Sequence, residues 1–265
     1  MGPVFSKTLD LIARRRPITV FLRNDDVDIA EDSLRRLIDL CVELQVALSL
    51  AIVPGLLTDE AGIYLQGMHR RHPEILELHQ HGWMHRNHQP GGPAAEFGSS
   101  RSFDLQLADI ASGARRMREV FADAWFPAFT PPWHACTSDT LRALTALGFS
   151  AFSGSVNQVQ SWANQTGLCL VPVTLDLEFE FQPAFKPGGE TAIRLFEHMV
   201  DHHFAGLLVH HKVMSPASFA MLRTILTSLR AHPAIHFATL KDLAGAEPRF
   251  VFSGPSSRFQ PAVAG

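Results

Sequence analysis

The sequence predicts an α/β protein in which a parallel sheet, open or closed into a barrel, carries helices on its outer face. Three observations lead there. Apolar, β-rich runs alternate with helical patterns along most of the 265 residues, the order that builds βαβ units. Only 18% of residues are charged against 46% hydrophobic, with 19 Phe, so much of the chain goes into a core. No linker, internal repeat or low-complexity segment divides the chain, and its length suits a single domain. That domain is expected to span residues 1–252, ahead of a loose Pro/Gly/Ser/Ala-rich tail over 253–265.

The first strand is read at residues 18–22, followed by an amphipathic helix over 31–45 with Leu34, Leu37, Ile38, Cys41 and Leu44 on one face. Residues 46–53 give the next strand, stopped by Pro54 and Gly55. A helix over 59–71, an extended run over 75–78 and a long Gly/His/Pro-rich loop over 80–101 follow. Then come a helix over 104–121, a strand over 125–129, and a helix over 138–147 that Ser138 caps and Gly148 ends. Short strands at 149–153 and 168–173 precede a helix-strand-helix-strand finish over 191–204, 206–210, 218–232 and 235–239. In such sheets functional side chains collect at the C-terminal ends of the strands.

Composition narrows the function. A formal net charge of -3 leaves no basic footprint for nucleic acid. The longest apolar stretch, residues 46–57, contains Pro54 and Gly55 and falls short of the ~20 residues a membrane span needs. Residues 1–25 lack an apolar core behind a basic start, so the expectation is a cytoplasmic protein. Cys41, Cys136 and Cys169 are too widely spaced for a disulfide framework or a cysteine metal site. Histidine is out of proportion: of 14, four lie between residues 79 and 88 and five between 198 and 211.

The strand ends carry the chemistry. The first supplies Asn24, Asp25, Asp26 and Asp28. Adjacent carboxylates after an apolar strand repel, and a cation would remove that cost; a helix N-cap by Asp26 or Asp28 is the other reading. The third ends in HQHGWMHRNH, where His81 and His85 are spaced i, i+4 and share one side of a helical turn, as in HExxH metalloproteases. Gly82 stands where those enzymes have their Glu base, so a base must come from elsewhere, and Asp25 is the natural source. Two His and one Asp leave open positions for water, as a hydrolytic metal requires. After the fourth strand, Pro131 and Pro132 have no N–H, and Trp133 offers the first amide that could face an oxyanion. His210 and His211 end the strand at 206–210, placed to protonate a leaving amine.

Taken together, these segments resemble the polysaccharide deacetylases, the NodB-like carbohydrate esterases of family four, from about residue 18 to 239. The resemblance implies a distorted (β/α) barrel with about seven strands. Asp25 falls on the family's catalytic base and Asp26 on a metal ligand. His81 and His85, with Glu77 ahead of them, fall on its His-(Ser/Thr)-x-x-His motif. Thr130-Pro131-Pro132-Trp133 matches Arg-x-Pro-Tyr/Trp, and Leu208-Val209-His210 matches Leu-x-His, which makes His210 the acid. Three departures stand out: Thr130 replaces the arginine that holds the base, Gly82 replaces a hydroxyl residue, and residues 157–162 echo the Asp-rich fourth motif without an Asp. Together with the HQHGWMHRNH string, residues 96–98 and VHHKVM, they suggest a divergent bacterial branch.

The expectation is therefore a metal-dependent hydrolase of non-peptide C–N bonds, a deacetylase of an N-acetylated sugar or related amide. Its partner is a small molecule or saccharide. Asp26, His81 and His85 hold one divalent ion, zinc first, with cobalt, nickel, manganese or iron as alternatives. Asp25 is the base and His210 the acid, Trp133 and Trp83 meet substrate or oxyanion, and His211, His88 and Asp176 are further candidates. Two other readings stay open: a non-haem iron oxygenase using the same Asp-His-His set, which a βα pattern disfavours, and a barrel that binds metal and a saccharide or protein partner without catalysis.

Overall fold

The computed structural model describes residues 17–163, 165–177, 199 and 202–246. Its strands are β1 (Ile18–Val27), β2 (Leu48–Ile52), β3 (Leu76–His81), β4 (Trp125–Thr130), β5 (Ala151–Ser155), β6 (Cys169–Val173), β7 (Leu175–Asp176), β8 (Phe204–Val209) and β9 (Ile235–Ala238). They form one parallel sheet in the order β6-β5-β4-β3-β2-β1-β8-β7. β9 pairs with the first residues of β1, on Ile18 to Phe21, ahead of the β1–β2 pairing that begins at Arg23.

The sheet closes through a single run of chain. β6 pairs with β5, and β7, one residue later, pairs with β8. At the junction the Thr174 amide donates to the Gly206 carbonyl at 2.7 Å, and the Gly206 amide donates to Thr174 Oγ1 at 3.1 Å. Gly206 permits the closure, because a Cβ there would sit 2.1 Å from the Pro172 carbonyl oxygen. The ring positions are β1 to β5, the β6–β7 run and β8, so the expected distorted barrel with about seven strands is the fold observed.

Around it lie α1 (Asp32–Leu44), α2 (Asp59–Arg71), α3 (Phe103–Phe121), α4 (Ser138–Ala146), α5 (Val156–Trp162), α6 (Pro216–Arg230) and α7 (Leu240–Gly245). The main core joins outward strand residues such as Leu22, Leu50 and Leu78 to helix residues such as Leu37, Leu65, Ile110 and Leu222. A smaller cluster of Phe21, Ala128, Ala151, Val171, Phe204 and Leu208 is joined by Leu240 and Leu243 of α7. The Leu240 amide donates to Ser49 Oγ of β2 at 3.1 Å, which seats α7 against the strands. Period-two alternation then decides what faces inward. Phe21, Arg23 and Asp25 share one face of β1, and Glu77, His79 and His81 share one face of β3, opposite Leu76, Leu78 and Gln80.

Several expected boundaries move. β1 runs five residues past Leu22, and β3 runs on through His81, because their polar residues alternate into the barrel interior instead of marking a loop. The α4 cap is Thr137, not Ser138: the Thr137 amide donates to Thr140 Oγ1 at 3.2 Å. β8 starts at Phe204, which had been read as a helix end. α5, β7 and α7 are additions. Most of the expected helix over 191–204, including His198, and the whole tail over 253–265 lie outside the described residues. Among the described residues no helix is long and apolar enough to cross a membrane, and all three cysteines are free thiols.

Candidate metal centre at the barrel mouth

Two successive residues of a regular strand point to opposite faces, yet Asp25 and Asp26 both serve one end of the barrel. A β-bulge explains this. The β1–β2 register shifts between Asn24 and Val27, and Asp26 adopts φ 64°. An extra residue with left-handed backbone swings its side chain round to its neighbour's side. The bulge brings Asp26 Oδ1 to 3.2 Å from His81 Nε2 and 3.1 Å from His85 Nε2. The three ligand atoms lie within 4.8 Å of one another.

These groups fit a divalent ion. The Thr130 carbonyl accepts from His81 Nδ1 at 3.1 Å, which fixes the tautomer and turns the Nε2 lone pair toward Asp26. A lone pair facing a carboxylate oxygen is repulsive unless a cation sits between them. Among the described residues the buried Oδ1 of Asp26 has no aligned hydrogen-bond donor. Ligand atoms 2.0–2.1 Å from a tetrahedral ion lie about 3.3 Å apart, close to the observed spacings. Burial would raise the Asp26 carboxyl, but the two imidazoles outweigh it and hold the group far below the usual carboxylate range.

His85 reaches the site through an irregular turn, not the helical one expected from the i, i+4 spacing: Gly82 has φ 58° and His85 φ 51°. A buried carboxylate ties this turn down. Glu96 accepts from the Trp83 amide at 3.1 Å and the Met84 amide at 2.7 Å. A Cβ on Gly82 would lie 2.1 Å from Glu96 Oε2 and 2.7 Å from the Pro132 ring, so glycine is required there on two counts. The indole of Trp133, 42% exposed with φ 54°, packs on His85 with ring centroids 4.3 Å apart and the ring planes tilted by 57°. Trp83, on the same turn, is half-buried and packs against the main core.

Asp25 is buried beside Arg23, whose side chain is fully enclosed. Arg23 Nε donates to Asp25 Oδ1 at 2.8 Å, Nη2 to Oδ2 at 2.9 Å, and Nη1 to Ser153 Oγ of β5 at 2.7 Å. Burial pushes the Asp25 carboxyl up, but the Arg23 guanidinium and the imidazoles of His81, His210 and His134 bring it down to about 2. His210 faces the same centre, with Nδ1 3.9 Å from Asp176 Oδ1. His211 is enclosed instead, its ring nitrogen 2.9 Å from Asn24 Nδ2 and its Nε2 3.2 Å from Glu31 Oε1. The two rings of the adjacent pair thus meet different acidic groups, His210 those of Asp176 and Asp25 and His211 that of Glu31. His88 is engaged by Arg101 Nη1 at 2.7 Å, and Asp28 pairs with Lys212 at 2.7 Å.

Three residues here escaped the sequence reading. His134 was assigned no role, yet burial and the nearby Arg23 push its pKa down to about 3, and Asp25, His81 and His210 lie within its electrostatic reach. Glu96 acts on backbone 12 and 13 residues away, and Arg23 was passed over between the strand read as ending at Leu22 and the polar run from Asn24. Only Arg23 left a signal that could have been used, its i, i+2 spacing to Asp25 on one strand face.

No known family model matches the chain, and no curated protein matches it. Solved structures do. A Mycobacterium smegmatis protein provisionally described as a polysaccharide deacetylase is 15% identical with a TM-score of 0.61, over 94% of this chain and 96% of its own. The chain has the fold of the family 4 carbohydrate esterases. A family 4 acetyl xylan esterase from Clostridium thermocellum, solved with a cobalt ion, shares that fold at 15% identity and TM-score 0.56, over 84% of this chain and 88% of its own. So does a family 4 pseudoenzyme from Bacillus anthracis, at 12% identity and TM-score 0.52, over 84% of this chain and 65% of its own. The family 4 fold therefore accommodates both active and inactive members, and the site must decide between them.

Proposed function

We propose that the protein is a metal-dependent hydrolase that removes an acetyl or similar acyl group from the nitrogen of an N-acetylated sugar or related small amide. The observation that carries this is the convergence of Asp26, His81 and His85 on one point, with His81 oriented by the Thr130 carbonyl. A divalent ion held there, zinc or cobalt in the first place, would acidify a water and polarise the substrate carbonyl. Asp25, ionised throughout the neutral range, takes the proton released as the water attacks. His210, with Asp176 behind its ring, gives a proton to the departing amine. The Trp133 amide donates to the developing oxyanion, and its exposed indole offers a face to the substrate.

The test is acetate release from chitooligosaccharides and turnover of 4-nitrophenyl acetate, with metal-loaded and metal-stripped protein. Turnover that returns with the metal, and that D25N lowers to a small residual rate while retaining the metal, is the expected result. The other reading, a barrel that binds metal and a saccharide without hydrolysing it, draws on Thr130 standing where the resemblance places an arginine. It predicts metal and saccharide binding with no turnover.

A further inference from the structure

We propose that Arg23 is a positioning residue of this active site, fixing the Asp25 carboxylate toward the metal centre from inside the barrel; this rests on Asp25 being the base. The geometry is bidentate. Nε and Nη2 engage one carboxylate oxygen each, at 2.8 and 2.9 Å, a fork that sets orientation as well as distance. The third bond, from Nη1 to Ser153 Oγ at 2.7 Å, locks the guanidinium from β5, which is not a neighbour of β1 in the sheet. Among the described residues, the hydrogen bonds to the Asp25 carboxylate come from Arg23 alone.

The backbone makes this anchor necessary. Between Asn24 and Val27 the ladder shifts register and Asp26 turns to positive φ, so regular pairing does not hold Asp25 in place. The bulge that brings Asp26 round to the metal leaves the base next to it dependent on a side-chain tether. Stability alone does not account for such a pair. An enclosed guanidinium and carboxylate give little advantage over apolar residues of similar size, and Phe21, the preceding residue on the same face, shows that apolar filling suits this barrel. Thr130 cannot substitute for the tether, because its Oγ1 is bonded to His79 Nε2 at 2.9 Å.

The experiment is a double-mutant cycle on cobalt-loaded protein with 4-nitrophenyl acetate and chitotetraose as probes. R23M should lower kcat about 100-fold or more with KM and cobalt affinity little changed, since misplacing a reacting group by about 1 Å costs that much. D25N/R23M should be no slower than D25N alone, because Arg23 acts only through Asp25. R23K, which keeps the charge without the fork, should lose at least about tenfold, and S153A about threefold to tenfold; both keep the test sound if R23M fails to fold. Multiplying losses in the double mutant, or R23K at the wild-type rate, would overturn the role of Arg23 in an active enzyme. A wild type that binds cobalt yet turns over neither probe overturns the hydrolase reading itself and, with it, the catalytic meaning of Arg23.

Discussion

Asp25, Asp26, His81, His85 and His210 were legible as a set because each is a chemistry-bearing residue at the end of an apolar run. What could not be read was which way each side chain turned. His211 differs from His210 by one position and carries the same ring, but it lies against Asn24 and Glu31 inside the protein. That placement has a consequence in acid. Burial, with Lys212 adding to it, pushes the His211 pKa down to about 4, whereas in the unfolded chain it titrates near 6.5. Between these values the unfolded state binds more protons, so stability falls as pH drops from about 6.5 toward 4. His134, pushed down to about 3, adds to the same trend. Thermal unfolding of H211Q at pH 7.5 and 4.5 should show a smaller loss of midpoint than the wild type; equal losses would show that His211 does not contribute.

At the scale of elements, the helices and strands with a clean period were found, and the errors fall where polar residues enter the barrel interior. β1 was cut at Leu22 because Arg23-Asn24-Asp25-Asp26 looks like a loop, yet in a closed sheet the inward face near the mouth is polar. The segment after β3 falls in the loop expected over 80–101, but the i, i+4 spacing of His81 and His85 is not realised as a helical turn; it is an irregular turn held by Glu96 through two backbone amides. A contact of that kind has no periodic signature. E96A should leave the fold intact while weakening metal binding about 10- to 100-fold, the usual cost of removing support from a ligand, and cobalt titration would read it. Unchanged affinity would mean that Gly82 and Trp133 suffice to place His85. G206A meets the β6–β8 closure, where the Pro172 carbonyl must yield. A destabilisation of about 1–3 kcal/mol is expected from such overpacking, measured by chemical denaturation.

For the molecule as a whole, the alternation of strands and helices gave a parallel sheet, open or closed, and the resemblance implied a barrel; closure itself depends on the short β7 and the break at Thr174, too brief to mark a pattern in the sequence. The apolar cluster with α7 and the polar mouth divide the work: one fixes the scaffold, the other gathers Asp26 of β1, His81 of β3 and His85 of the turn after it onto one point. An ion bound only by the folded chain stabilises it by mass action. Zinc or cobalt should therefore raise the thermal midpoint of the wild type in a concentration-dependent way and leave D26A/H81A unmoved; an equal rise in both would place the ion elsewhere. The most direct test of the central claim is anomalous diffraction at the zinc edge from metal-loaded crystals. One strong peak is expected about 2.0–2.2 Å from an Asp26 carboxylate oxygen, His81 Nε2 and His85 Nε2. A fully loaded protein whose peak lies away from those three side chains would contradict it.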